Sequence, residues 1–332
     1  MGKRSDFMTH QYLRTYLQAS FSGMRIRCHF NRFPVRIQYI AVRVAIMTAL
    51  SIFMSLWVVQ KTVAQGQEIS VHLDRYYHFT ELMRDPLVQA HLVRYRSNFD
   101  STVQSILVLE PTSHQAKRLF FFFHGMDGDC GDGVIVRGLV NGVGAKVISL
   151  CGRGASWVSD AFVFDATQVI NEYSKSYHGY YLMGVSMGGS QALSLAGLLP
   201  GKLRESILGV IALIPGSDLL AIANNSSNQR VKNTLSASMD GNLNELRQRS
   251  PYYLIDRYKK NLPFIIFYNE DDTVLLTNDI EMFINRLRKT HPVSTFTAPG
   301  EHHFVHRSID YRKLFEELGR DSTEKKRMPM LK

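Results

Sequence analysis

From residue 101 onward the chain alternates short apolar runs with longer amphipathic stretches. The runs Gln104–Leu109, Arg118–Phe123, Lys146–Leu150, Gly179–Met183, Ile207–Ile214, Pro263–Tyr268 and Val293–Thr297 predict strands. The central ones are apolar without interruption, Leu119-Phe120-Phe121-Phe122-Phe123 most of all, as expected of parallel strands buried on both faces. Between them, Ser159–Tyr173, Met187–Leu199, Asn278–Lys289 and Phe304–Leu318 carry helical spacing. Strands alternating with helices predict an α/β domain over 101–320, a doubly wound, mostly parallel sheet with helices on both faces. The longest insertion between strands, Ser217–Tyr258, is polar and helix-forming and is a candidate cap over a site. Residues 61–100 read as a helical lead-in, with helices over Val71–Met83 and Pro86–Tyr95, and 321–332 as a charged tail.

The pattern upstream is different. Residues 44–59, VAIMTALSIFMSLWVV, carry no charge and predict an N-terminal hydrophobic helix over 44–60. About 20 apolar residues span a bilayer. A slightly shorter run behind a basic flank suits either a signal anchor or the core of a cleaved signal peptide. Thr62-Val63-Ala64 offers a weak cleavage site, and Met24 is an alternative start. A positive flank stays in the cytoplasm, so the domain is expected outside it, exported or anchored to the inner membrane.

Charge sharpens this reading. The net charge is +10, yet residues 1–43 alone hold eight basic residues against the single acid Asp6. A nucleic-acid-binding domain would carry its basic face on the fold itself, so that class is set aside. Hydrophobic residues make up 45% of the chain and charged ones 20%, enough to build a core for one catalytic-size domain.

The strongest chemical signal is Tyr180-Tyr181-Leu182-Met183-Gly184-Val185-Ser186-Met187-Gly188-Gly189. It is an apolar strand, a G-x-S-x-G turn and a helix-forming run. The turn is so sharp that the positions two before and two after the serine must be small, and these are Gly184 and Gly188. It lifts the Ser186 hydroxyl above the sheet edge and aims the Met187 N–H at any oxyanion formed there.

A nucleophilic serine needs a base, and the base needs an orienting acid. Asn269-Glu270-Asp271-Asp272-Thr273-Val274 follows the strand Pro263–Tyr268, and Asp272 is favoured over Asp271 as the acid. Ala298-Pro299-Gly300-Glu301-His302-His303-Phe304 follows the strand Val293–Thr297, and His303 is favoured over His302 as the base. All follow parallel strands, so all belong at one sheet edge. A second oxyanion donor is expected from the Met126 N–H, in the loop after Phe120-Phe121-Phe122-Phe123-His124-Gly125, with His124 bracing that loop. Asp127, Asp129 and Asp132 lack the terminal acid of a calcium loop, so no metal is assigned to them. Cys130 and Cys151 follow strands expected to be neighbours. A disulfide pinning the oxyanion loop, in an exported domain, and two isolated buried thiols both remain open.

With these residues in hand, the stretch from about 100 to 320 resembles the α/β-hydrolase superfamily. Gly184-Val185-Ser186-Met187-Gly188-Gly189 is similar to the G-x-S-M-G-G form of many esterases and prolyl-oligopeptidase-like peptidases. Ser250-Pro251-Tyr252, Leu262-Pro263 and Asp272 resemble the same stretch in the peptidase-like branch. Asn269 stands where many members carry glycine. The expected activity is cleavage of a small-molecule carboxylic ester or acylated substrate through an acyl-enzyme, with no cofactor and no metal. A peptidase or amidase, an acyltransferase, or a non-catalytic module at the membrane are the alternatives.

Overall fold

In the computed structural model, residues 86–300, 309–318 and 325–327 are described, all within the unit Thr62–Lys332. The hydrophobic segment 44–60, the basic segment before it, the helix expected over Val71–Met83 and the end of the charged tail lie outside the described residues. Among the described residues, no helix is long and apolar enough to cross a membrane.

Among the described residues, nine strands form one sheet: β1 (Val88–Arg96), β2 (Val103–Pro111), β3 (Arg118–Phe123), β4 (Ala145–Leu150), β5 (Tyr180–Val185), β6 (Ile207–Leu213), β7 (Phe264–Asn269), β8 (Val293–Ala298) and β9 (Lys325–Arg327). The helices are α1 (Arg137–Val143), α2 (Asp160–Tyr173), α3 (Met187–Leu198), α4 (Gly201–Glu205), α5 (Leu219–Asn225), α6 (Gln229–Ala237), α7 (Leu243–Arg249), α8 (Pro251–Leu254), α9 (Thr277–Leu287) and α10 (Tyr311–Glu316). The strand order is β1-β2-β4-β3-β5-β6-β7-β8-β9. Strands β3 to β9 pair in parallel, whereas β2 pairs antiparallel with both β1 and β4.

Strand β3 shows why the core is two-layered. Successive side chains of a strand point to opposite faces. Leu119, Phe121 and Phe123 therefore pack with Phe162, Val169, Leu193 and Phe283 from α2, α3 and α9. Phe120 and Phe122 pack on the other face with Leu139, Val140 and Leu314 from α1 and α10. A run of five apolar residues is needed because neither face sees water.

One sequence expectation is corrected. Pro86–Tyr95 does not form a helix; Val88–Arg96 is the edge strand β1, paired antiparallel with β2 from Val88↔Pro111 to Arg96↔Val103. Val88, Leu92 and Tyr95 sit at helical spacing, but strand alternation uses them differently. Val88, Ala90 and Leu92 meet one core layer, and Val93 and Tyr95 the other. Pairing with β2 overrides the local pattern.

The insertion after β6 folds into α5, α6, α7 and α8. Asp218, Asn228 and Asn242 cap the first three through bonds from backbone N–H groups one turn in. Their apolar faces, Leu219, Ile222, Val231, Leu235 and Leu246, form a third cluster with Trp157, Met187 and Leu275.

Candidate active site

Strand β5 delivers the chain to Ser186 at the C-terminal edge of the sheet, and α3 begins at the next residue. Ser186 has φ 56° and ψ −119°, the left-handed side of backbone space that a serine adopts only under constraint. Two glycines impose the constraint. A Cβ at Gly184 would fall 2.1 Å from the Gly188 carbonyl oxygen, and one at Gly188 would fall 2.0 Å from that of Phe123. The Ser186 N–H donates to the Leu213 carbonyl at 2.8 Å, tying the turn to the end of β6. Ser190 supports it from behind, accepting from the Gly216 N–H at 2.8 Å. The Met187 N–H opens α3, so it has no acceptor within the helix and lies at the positive end of its dipole.

The loop after β3 runs beside this turn. A Cβ at Gly125 would lie 3.8 Å from that of Ser186. His124, 3% exposed, brackets the loop: its Nδ1 lies 2.6 Å from the Gly125 carbonyl oxygen and its Nε2 2.9 Å from that of Cys151. The Gly128 N–H closes a turn onto the Gly125 carbonyl at 2.9 Å. Asp129 accepts from the Gly131 N–H at 2.7 Å and so caps the short helix Cys130–Val136.

Cys130 and Cys151 are joined in a disulfide. The pairing left open by the sequence is thus present, and it links the segment after β3 to the loop after β4. The loop-closure entropy for a separation of 21 residues predicts about 3 kcal/mol of stabilisation. The Cys130→Ser/Cys151→Ser double variant should unfold at correspondingly lower urea. A midpoint unchanged from the wild type, both without reductant, would contradict this.

A partly buried ion network, with Asp165 buried and Asp100 exposed, anchors the loop after β4. Arg153 Nε donates to Asp165 on α2 at 2.7 Å, Nη1 to Asp100 at 2.6 Å and Nη2 to Ser97 at 3.0 Å. The guanidinium holds the Asp100 carboxyl well below the usual carboxylate range.

The acid cluster follows β7. Asp272 is 7% exposed, and its Oδ1 accepts from the Val274 and Leu275 N–H groups, both at 2.8 Å. Thr277 braces the same turn, with its hydroxyl donating to the Asn269 carbonyl at 2.8 Å and accepting from the Asp272 N–H at 2.9 Å. Asp271 is exposed, and its Oδ2 meets the Gly300 N–H at 3.4 Å. His303 and its rival His302 lie outside the described residues. The chain leading to them leaves β8 beside this cluster, with Asn269 level with Ala298 and the Glu270 N–H donating to the Ala298 carbonyl at 2.9 Å.

Some contributors had no sequence signal. Trp157 is 1% exposed at φ 43°, with its carbonyl accepting from Gln191 of α3 at 2.5 Å. It packs with Met187, and the partly buried Met126 joins the same cluster. Trp157, Ser186, Ile214 and Leu276, in the loops after β4, β5, β6 and β7, all have positive φ. Strain therefore collects along the edge that carries Ser186.

No protein-family model matches the chain, and no curated protein matches its sequence. Solved structures do. The hyperthermophilic esterase of the archaeon Pyrobaculum calidifontis superposes with a TM-score of 0.57 at 17% identity, over 73% of this chain and 86% of that one. The fluorophosphonate-binding serine hydrolase FphF of Staphylococcus aureus gives 0.53 at 18% identity, over 69% and 96%. Puromycin hydrolase gives 0.54 at 16% identity over 67% of this chain, which spans only 37% of that enzyme. At such identities the likeness is one of fold.

Proposed function

We propose that this chain, which has the α/β-hydrolase fold, is a serine hydrolase that cleaves carboxylic esters through an acyl-enzyme. The observation that carries the reading is Ser186 held at positive φ on a strand–helix turn that only glycine at 184 and 188 permits. In this scheme His303 takes the Ser186 proton as the hydroxyl attacks the ester carbonyl. Asp272, buried and braced by two backbone N–H groups, orients the imidazole and stabilises its cation. The N–H groups of Met126 and Met187 receive the oxyanion. Proton return from His303 expels the alcohol, and water then releases the acid. None of these steps draws on a cofactor.

A fluorophosphonate probe should label the wild-type protein at Ser186 and leave Ser186→Ala unlabelled. Wild-type protein that stays unlabelled would instead favour a non-catalytic module. Comparing p-nitrophenyl esters with aminoacyl anilides separates esterase from peptidase, and adding an alcohol acceptor reveals an acyltransferase. We also propose that the domain works outside the cytoplasm. The basic flank before the apolar segment 44–59 supports this, and so does the Cys130–Cys151 bond, since structural disulfides persist in oxidising compartments.

A further inference from the structure

Helix α6 of the insertion reaches the loop after β3 at two successive residues. Arg230 and Thr234 are four apart, so they share a face of the helix. Arg230 Nη2 pairs with Asp127 Oδ1 at 2.5 Å, an exposed contact worth little by itself. Thr234 is different. Its Oγ1 lies 3.1 Å from Met126 Sδ and accepts from the Trp157 indole N–H at 3.1 Å. It also lies 3.1 Å from the Val231 carbonyl within its own helix. One hydroxyl thus ties α6 to Met126, on the loop after β3, and to Trp157, on the loop after β4. Trp157 is in turn bonded to α3 through Gln191, one turn beyond Ser186.

We infer that Thr234 is a positioning residue for the oxyanion site: from the helical insertion its hydroxyl fixes the Met126 and Trp157 side chains, and through them the N–H at Met126. The inference rests on the hydrolase reading above. The Met126 peptide is already held at its other atom, since His124 Nδ1 lies 2.6 Å from the Gly125 carbonyl oxygen of the same peptide unit. Thr234 supplies a second hold from the helical insertion, through the Met126 side chain. Oxyanion donors act within about 2.7–3.1 Å of the developing charge, and losing one outright costs roughly 10²–10³ in kcat. A donor loosened rather than lost should cost about tenfold, with ground-state binding largely spared.

Thr234→Val keeps the shape and removes the hydroxyl. With p-nitrophenyl butyrate, its kcat should fall about tenfold while KM changes less than about twofold. Affinity for a trifluoromethyl ketone, which forms the tetrahedral adduct, should fall in parallel with kcat. Thr234→Ser should restore both to within about twofold. The Met126 methyl resonance in [13C-methyl]-methionine-labelled protein, assigned by its loss in Met126→Leu, should shift in Thr234→Val and return in Thr234→Ser. A Thr234→Val enzyme with wild-type kcat and ketone affinity, or an unmoved Met126 methyl, would overturn the assignment. So would a loss that Thr234→Ser fails to restore. A wild-type protein that neither turns over ester nor binds the ketone would overturn the hydrolase reading itself, whatever the methyl resonance shows.

Discussion

Replacing Ser186 with alanine is expected to lower kcat on an ester by about a millionfold, leaving the protein folded and its thermal midpoint close to that of the wild type. A nucleophile, its base and its orienting acid act as a unit, so removing the nucleophile removes nearly all the acceleration they supply. Asp272→Asn should cost about 10⁴, because the amide oxygen can still accept from the Val274 and Leu275 N–H groups but the side chain holds the imidazole in the wrong tautomer. Asp271→Asn is the control. Its side chain is exposed, and its contact with the Gly300 N–H is long. A fall of less than threefold is expected for it. Steady-state kinetics on purified variants decide the matter: a larger loss for Asp271→Asn than for Asp272→Asn would reassign the acid.

The second large effect is on stability. Gly188→Ala adds one methyl group, but that methyl would meet the Phe123 carbonyl at 2.0 Å, with the His124 carbonyl oxygen at 2.6 Å. These are backbone atoms of β3 and its loop, and they cannot rotate away as a side chain end would. The cost should exceed about 3 kcal/mol, the upper end of what overpacking usually costs. Most of the protein should then be recovered insoluble, or with a clearly depressed unfolding midpoint. Gly154→Ala is a useful contrast, since nothing lies within 4 Å of its added methyl. Its backbone does have φ 65°, so a small destabilisation is expected. Equal stability for wild type and Gly188→Ala by urea unfolding would mean that β3 and the start of α3 can separate to admit the methyl group.

How much of this was legible in the sequence depended on how local each feature is. Strand β3 was read with its observed bounds, because burial on both faces writes itself as an unbroken apolar run. The turn at Ser186 was legible because the close approach of β5, α3 and β3 admits only glycine at two fixed offsets from the serine. Strand β1 was misread because its partner, β2, decides its conformation and the apolar spacing fits either form. The tie between Thr234 and Met126 spans 108 positions, and no periodicity encodes it. The Arg153 network joins three separate segments through ion pairs and the Ser97 hydroxyl, so it too leaves no local trace.

The place of β4 in the sheet has a consequence for how the chain assembles. Strands β2 and β3 are consecutive in sequence, yet β4 lies between them. During synthesis the β1–β2 hairpin can close on its own, but its inner border stays unpaired until Leu150 has emerged and β4 slots in. For that interval Ile106 to Leu109 present an open apolar ribbon to whatever else is nearby. Slowing translation while Leu150 has yet to emerge should therefore raise the insoluble fraction of the product, and slowing it once β4 is free to pair should not.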